Sequence, residues 1–270
     1  MIVRFLFWNI GRHDLLAQLA SIVREHSVDV VALAECDSGG GDVAGVLTVQ
    51  TGRTFRHSIS YSDRIKVVTT LSVQQFAAHF DDQPGRLSVH KLTLENQSSI
   101  VIGVVHLLDQ RNYNADDRFS FATRVAVDVR SVERELSTDR TMVIGDFNMD
   151  PFEPGMTSAF GFHAIMVKNE VRTSRVVQGR DYSMFYNPMW GKFGDRTAGA
   201  AGTHYYSASK PVTQFWHMFD QVLLRRSLMD NLVDLDILTG AADHSFTTAA
   251  GKPGGKSGSD HFPILVALDL

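Results

Sequence analysis

A buried strand runs directly into a polar turn in the stretch Thr141-Met142-Val143-Ile144-Gly145-Asp146-Phe147-Asn148-Met149-Asp150-Pro151. The short, continuous apolar run over residues 141–145 predicts the strand. Gly, Asp, Asn and Pro predict the turn, because they tolerate or impose the backbone angles that turns require. An acid and an amide therefore follow the strand at Asp146 and Asn148. Buried charge is expensive unless it is paired or holds a metal ion, so this turn is a candidate site.

Polar side chains at strand ends recur outward from this turn in both directions. Buried strands are predicted over residues 2–8, 28–33, 100–106, 219–224 and 262–268. The polar residues are Asn9, Glu35 and His106 after their strands, Asp220 within a strand, and Asp260 and His261 before the last strand. A hard divalent cation and a phosphate group require such a set of carboxylates, amides and imidazoles.

The remaining pattern predicts an α/β sandwich. Apolar stripes predict helices over residues 14–25 and 115–136. Further strands are predicted over residues 65–71, 87–94 and 232–238, while residues 168–215 lack periodicity and are predicted to form a long functional loop. Strands outnumber helices and no linker is evident. We therefore expect residues 1–270 to form a single domain.

Each polar residue also has a purely structural interpretation when it is considered alone. Asn9 could belong to a turn, Glu35 could be a solvated acid, and His106 could be a hydrogen-bonded core histidine. Asp220 could be a buried acid held by backbone donors, although its apolar strand makes a surface position hard to explain. The functional interpretation therefore depends on the whole set in its order.

That ordered set resembles the endonuclease/exonuclease/phosphatase superfamily, which has the DNase-I-like fold. The matching segments are Phe7-Trp8-Asn9-Ile10, Asp29-Val30-Val31-Ala32-Leu33-Ala34-Glu35, Val104-Val105-His106-Leu107, Val143-Ile144-Gly145-Asp146-Phe147-Asn148, Phe219-Asp220-Gln221-Val222 and Ser259-Asp260-His261-Phe262-Pro263. They cover almost the whole chain. The resemblance implies a four-layer α/β sandwich, with two packed mixed β-sheets flanked by helices and the site at one end of both sheets.

The resemblance also implies divalent-metal-dependent hydrolysis of a phosphate ester, with Mg²⁺ or Mn²⁺ as cofactor. Glu35 would be the main metal ligand, with Asn9 beside it, and Asp260 would face the ion. The metal ion neutralises phosphate charge, and positioned donors meet the charge that grows in the transition state.

Five residues match the positions that carry the chemistry in this superfamily. Asp146 would orient or deprotonate the attacking water, and Asn148 would hold Asp146 or the phosphate. His261 would act as general base or as a donor to the phosphorane, while Asp220 would fix its tautomer. His106 would bind the phosphate or protonate the leaving oxygen. Either Asp146 or His261 could be the base.

Two positions depart from the members that act at abasic DNA sites. Those members carry an acid shortly after the first Asn, and a Tyr in place of the mid-chain His. Here Gly11 and His106 occupy these positions. This disfavours abasic-site repair and favours the DNase-I, sphingomyelinase, inositol-phosphatase and deadenylase branches.

Composition indicates the charge of the protein and the cellular compartment in which we expect it. The 26 Lys and Arg residues against 30 Asp and Glu give a net charge of −4, so no overall basic field exists, although a local basic groove is compatible with it. A single cysteine, Cys36, excludes an intrachain disulfide and favours a reducing compartment. Without a long apolar run or a signal-like start, we expect a cytoplasmic protein with no membrane segment. No obligate protein partner is indicated.

Several further residues are candidate substrate contacts or ordinary surface groups. Basic candidates are Arg64, Arg111, Arg118, Lys252 and Lys256. The segments Thr203-His204-Tyr205-Tyr206 and Trp216-His217 are aromatic and could stack on a base or pack on the sandwich. His204 and His217 are too far apart in sequence to predict a zinc pair.

Three functions remain. The first is a nuclease that hydrolyses phosphodiester bonds of DNA or RNA. The alternative is a phosphatase or phosphodiesterase for a small-molecule or lipid phosphate ester, using the same site. A catalytically silent binding module would be expected to lack a core residue, and none is lost here.

Overall fold

The fold is that of a computed structural model, which describes the whole chain except residues 208, 210, 212, 243 and 255–257. Lys256, one of the basic candidates, is thus outside the described residues. The helices are α1 (Leu16–His26), α2 (Gly40–Thr51), α3 (Ala115–Glu135) and α4 (Pro154–Thr157). The strands are β1 (Ile2–Asn9), β2 (Val30–Ala34), β3 (Arg56–His57), β4 (Ile65–Thr69), β5 (Phe76–Asp81), β6 (Leu87–Thr93), β7 (Ser99–His106), β8 (Thr141–Asp146), β9 (Ala164–Ile165), β10 (Ser174–Val177), β11 (Arg180–Ser183), β12 (Phe185–Tyr186), β13 (His204–Tyr205), β14 (Trp216–His217), β15 (Asp220–Arg225), β16 (Leu232–Ile237), β17 (Gly240–Ala241), β18 (His244–Ser245) and β19 (Ile264–Asp269).

Two large mixed sheets form the centre of the described chain. The first has the strand order β16-β19-β1-β2-β4-β3, and the second has the order β5-β6-β7-β8-β15-β12-β9. In the first sheet β1 is parallel to β2 and antiparallel to β19. In the second, β7 is parallel to β8, and β8 is antiparallel to β15. Helices α1 and α2 pack with the first sheet, and α3 packs on the second, which confirms the four-layer α/β sandwich.

Strand β7 shows how the sequence produces these layers. Its side chains alternate between two apolar clusters, because successive residues of a strand point to opposite faces. Ile102 and Val104 join the cluster between the sheets, whereas Val101 and Val105 join the cluster under α3. A strand buried on both faces therefore appears in the sequence as a continuous apolar run.

The predicted elements agree with the structure to within a few residues, but α2, α4, β5 and the two-residue strands β3, β9, β14, β17 and β18 were not predicted. Helix α2 begins with glycines and contains β-branched residues, which are weak helix formers. Its helical state depends on packing, because Val43, Ala44 and Leu47 are buried. The region 168–215 is also less irregular than predicted, since it contributes short strands from β10 to β13. Among the described residues, no helix has the length and hydrophobicity needed to cross a bilayer.

A fully buried histidine on β6 predicts acid sensitivity of the fold. The ring of His90 stacks on Phe76, with 5.0 Å between ring centroids, and its nitrogens lie 3.0 and 3.1 Å from the hydroxyls of Ser58 and Ser88. Burial, together with nearby cationic groups, lowers the pKa of His90 to about 3. The unfolded chain binds a proton near pH 6.5, whereas the folded chain does not until about pH 3. The free energy of unfolding should therefore fall by about 2 kcal/mol between pH 7 and pH 5 through this group.

Urea unfolding at both pH values checks this expectation. His90→Gln keeps a polar side chain between the two serines and should reduce the pH-dependent loss by about that amount. His26→Gln, on the surface of α1, should retain the wild-type loss. An equal loss in wild type and His90→Gln would contradict the assignment.

Candidate active site

A cleft of about 480 Å³ lies where the two sheets present their polar ends. Seven of the eight predicted site residues line it, namely Asn9, Glu35, His106, Asp146, Asn148, Asp260 and His261. The eighth, Asp220, is fully buried behind His261. The tertiary structure therefore brings together residues that are separated by up to 252 positions in the sequence.

The second sheet supplies a row of three side chains across neighbouring strands. His106 on β7 is the register partner of Asp146 on β8, and Asp146 is the register partner of Asp220 on β15. All three are buried. The row exists because β8 is the central strand of the three and all three positions fall at the same end of the sheet.

The first sheet supplies Asn9 and Glu35 from its central pair of strands. Asn9 ends β1 and is the register partner of Ala34, so Glu35 follows at the same edge. The Asn9 amide Nδ2 donates to Asp146 Oδ2 at 3.0 Å and lies 3.5 Å from Glu35 Oε1. Its Oδ1 accepts the backbone N–H of Gly11 at 3.1 Å. One amide thus links the acids of the two sheets.

Glu35 is an ionised acid held in an unusual backbone conformation. Its φ of +50° lies in the left-handed region, which few non-glycine residues adopt. Its Oε1 lies 3.4 Å from His106 Nε2. The hydrogen bond from His106 is the main cause that lowers the pKa of Glu35 to about 2, although partial burial opposes it. The carboxylate therefore remains charged at neutral pH.

The turn after β8 fixes Asp146 by backbone geometry. Asp146 Oδ1 accepts the backbone N–H of Asn148 at 2.8 Å, and Asn148 itself has a φ of +50°. Gly145 has a φ of +150°, and a Cβ there would lie 2.1 Å from the carbonyl oxygen of Val105, so only glycine fits. Burial raises the pKa of the Asp146 carboxyl, and the neighbouring Asp220 raises it further.

His261 and Asp220 form a buried imidazole–carboxylate pair. His261 Nδ1 lies 2.8 Å from Asp220 Oδ2, so the carboxylate fixes the tautomer and leaves Nε2 facing the cleft. Ser259 Oγ accepts the backbone N–H of His261 at 3.1 Å and anchors this segment. Burial lowers the pKa of His261, but the carboxylates of Asp220, Asp146 and Asp260 outweigh it and raise the pKa to about 10.

The donor set of the cleft fits a divalent cation. Oxygen atoms of Glu35 and Asp146 converge on one Asn9 amide, and the half-exposed Asp260 lines the same cleft. Carboxylate oxygens suit Mg²⁺ or Mn²⁺. Two sets of closely spaced ligand atoms also occur there, one formed by Asp146, Asp220 and His261 and the other by His204, Asp260 and His261.

The structure also places in the cleft two histidines that the sequence analysis named only as members of aromatic segments, for stacking on a base or for packing on the sandwich. His204 and His217 both line it and are register partners on β13 and β14, with 6.3 Å between their ring centroids. His217 Nδ1 lies 2.8 Å from the buried carboxylate of Asp150. The two histidines are 13 residues apart in the sequence, and only the pairing of β13 with β14 brings them together. The aromatic character of both segments was the available signal.

The basic candidates separate into two kinds. Arg64 and Arg111 line the cleft, together with Arg12 and Arg86. Arg118 instead holds the turn after β8, since its Nη1 donates to the carbonyl oxygen of Asn148 at 2.9 Å. The cleft of a chain with a net charge of −4 thus contains four arginines alongside its acids.

Cys36 follows Glu35 but is buried. Burial raises the pKa of its thiol, which makes Cys36 a poor nucleophile.

The sequence profile of the Endonuclease/Exonuclease/phosphatase family matches residues 6–261. A search of curated proteins finds no match. Among solved structures, the fold is similar to an endonuclease/exonuclease/phosphatase family protein from Bacteroides thetaiotaomicron, with a TM-score of 0.60, 12% identity, and coverage of 100% of this chain and 96% of that one.

Two further solved structures share the fold. D. rerio TDP2, complexed with single strand DNA product, has a TM-score of 0.56 and 14% identity, with 100% of this chain and 99% of that one covered. The human Nocturnin catalytic domain with bound sulfate anion has a TM-score of 0.56 and 11% identity, with 99% and 94% covered. At these identities the similarity establishes the fold.

Proposed function

The chain belongs to the endonuclease/exonuclease/phosphatase family, whose members hydrolyse phosphoester bonds, and we propose that it is a divalent-metal-dependent phosphodiester hydrolase acting on DNA or RNA. The observation that carries the proposal is the row of His106, Asp146 and Asp220 on one sheet, faced by Glu35 and His261 from the other. Both sheets build this one cleft, which supports the proposal that residues 1–270 form a single domain.

The proposed chemistry assigns different tasks to the two buried acids. Asp220 holds His261 as the imidazolium, so His261 donates from Nε2 to a non-bridging phosphate oxygen. Asp146 then orients or deprotonates the attacking water, and its raised pKa suits a group that accepts a proton. Asn148 holds Asp146 through its backbone N–H. His106 lies beside Glu35 and Asp146 and binds the phosphate or protonates the leaving oxygen.

Glu35, Asp260 and Asn9 are the proposed holders of the cation. The bound ion would neutralise negative charge on the phosphate. Glu35 remains ionised at neutral pH, and Asp260 is solvent-accessible at the cleft. The Asn9 amide NH₂ faces the acids, so ligation through Oδ1 requires this amide to turn from Gly11.

A nucleic-acid substrate is supported by the walls of the cleft. Arg64 and Arg111 provide charge for a phosphate backbone, and the exposed Tyr206 provides aromatic surface for a base. The structurally similar D. rerio TDP2 is complexed with single strand DNA product. If the arginines instead converged on one small ester, the alternative function would be favoured, namely hydrolysis of a small-molecule or lipid phosphate ester.

Conversion of supercoiled plasmid to nicked circle tests the proposal. We expect nicking with Mg²⁺ or Mn²⁺, no nicking with EDTA, and a loss of at least about 10³-fold in rate for Asp146→Asn. Asp234→Asn, an exposed acid on β16, is the matched control and should retain the wild-type rate. Metal-dependent cleavage of RNA alone would assign RNA as the substrate. Failure on both nucleic acids, with p-nitrophenyl phosphate esters still hydrolysed, would favour the small-ester alternative.

A further inference from the structure

We propose that His217 and Asp150 form a second imidazole–carboxylate pair, which binds a phosphate of the substrate adjacent to the phosphate that is hydrolysed. This inference rests on the proposed phosphodiester hydrolase function and specifies its substrate as one with at least two neighbouring phosphates. The pair lies outside the eight residues assigned to catalysis and to the cation.

The geometry of the pair fixes the direction in which the imidazole can bind. His217 Nδ1 lies 2.8 Å from Asp150 Oδ2, and Asp150 is only 2% exposed. The other oxygen of Asp150 accepts the backbone N–H of Met218 at 2.8 Å. Both carboxylate oxygens are thus engaged by the segment that carries His217. Because Asp150 occupies Nδ1, Nε2 is the ring nitrogen that remains for a ligand in the cleft.

Packing holds the ring of His217 in place. It stacks on Phe219, with 4.6 Å between centroids and 24° between planes. The backbone N–H of Thr203 donates to the carbonyl oxygen of His217 at 2.9 Å. A Cβ on Gly202 would lie 2.6 Å from that carbonyl oxygen, so the strands approach closely only because residue 202 is glycine. A ring fixed in this way loses little entropy on binding a ligand.

His217 shares its wall of the cleft with the proposed catalytic donor. The His204 ring lies 4.6 Å from the His261 ring, and the His217 ring lies 6.3 Å from the His204 ring. His204 is thus a neighbour of both histidines. On this arrangement the group at His217 is a different group of the substrate from the one at His261. In a nucleic-acid strand, the next phosphate is such a group.

The hydrogen bonding of the pair suits an acidic group of the substrate. Because Asp150 engages Nδ1, such a group can share a proton with Nε2, and Asp150 then balances the charge of the ring in a charge-assisted hydrogen bond. The pair Asp220–His261 uses the same arrangement at the same 2.8 Å distance. The cleft of about 480 Å³ also has the size of a pocket for a nucleotide-sized ligand rather than for one phosphate.

Two matched compounds test the proposal. The first is thymidine 5′-(p-nitrophenyl phosphate), and the second is the same ester with an additional 3′-phosphate. A second pair, thymidine 3′-(p-nitrophenyl phosphate) with and without a 5′-phosphate, tests the opposite polarity of the strand. Release of p-nitrophenol gives kcat/KM for each, and the ratio within a pair measures the contribution of the second phosphate.

We expect the second phosphate to raise kcat/KM about tenfold or more in one pair, as expected for a charge-assisted hydrogen bond. His217→Gln and Asp150→Asn should both bring this ratio close to one. His79→Gln is the matched control, because His79 Nε2 also pairs with a carboxylate, Glu135 at 3.2 Å, but lies on β5. It should retain the wild-type ratio. Thermal unfolding separates an effect on the ratio from a loss of folding in Asp150→Asn.

Calorimetric binding of the same compounds gives the ratio of affinities without turnover. If the wild type hydrolyses none of them, the plasmid and RNA assays decide the proposed function, and the affinity ratio still decides the anion site. A wild-type ratio near one, or a ratio retained in His217→Gln, would overturn the proposal. An equal loss on both compounds would place His217 at the reacting phosphate and would also overturn it.

Discussion

Replacing Asp220 with asparagine should lower kcat/KM for phosphodiester hydrolysis by about 10³-fold or more. The substitution keeps the shape of the side chain but removes the charge 2.8 Å from His261 Nδ1. The imidazolium then loses its main stabilising partner, and the ring can adopt the other tautomer. Removing the carboxylate behind a catalytic histidine has effects of this order in other hydrolases.

A double-substitution cycle measures whether Asp220 acts through His261. Asp220→Asn, His261→Gln and the double variant should have similar rates, because residues that act as a unit are not additive. Asp236→Asn is the control, since Asp236 is half-exposed and pairs with Lys192 at 3.2 Å. Additive losses in the double variant would show that the two residues act independently.

Replacing Glu35 with glutamine should abolish metal-dependent stabilisation and lower kcat/KM by about 10³-fold. Glu35 is the cleft acid whose pKa is lowered to about 2, so its charge is available to a cation at any pH near neutrality. Glutamine keeps the size of the side chain but offers a neutral oxygen. A cation that binds only the folded state raises the midpoint of thermal unfolding, and this rise should disappear.

Thermal unfolding with Mg²⁺, with Mn²⁺ and with EDTA measures this loss separately from activity. Glu95→Gln, an exposed acid in the turn after β6, should keep the metal-dependent rise of the wild type. An unchanged rise in Glu35→Gln would assign the cation to other acids of the cleft.

Strand β7 and the turn after β8 show why so much of this fold follows from local sequence. A strand covered on both faces must be apolar throughout, and a glycine in a left-handed or crowded position has no substitute. The run 100–106 and Gly145-Asp146-Phe147-Asn148 therefore carry their structural roles in their own residues. The same holds for α3, where an Asn114–Asp117 capping box marks the start of an amphipathic stripe.

Helix α2 shows where local sequence is insufficient. Its glycines and β-branched residues give little helical propensity, and burial of Val43 and Leu47 decides its conformation. The region 168–215 is similar where its short strands pair with residues far along the chain. For example, β12 pairs with β9 and β15. Such contacts carry no local pattern in the sequence.

The site divides in the same way. The eight polar residues of the proposed site are predictable from the sequence, because each follows, opens or lies within an apolar strand where an unpaired polar group would be costly. The contacts of His217 with Asp150 and of Arg118 with its turn depend instead on the folded structure. These contacts join segments that are 67 and 30 residues apart, and the apolar pattern of the strands does not predict them. Their physical basis is the packing of the sheets and of the β13–β14 hairpin, which exists only once the chain has folded.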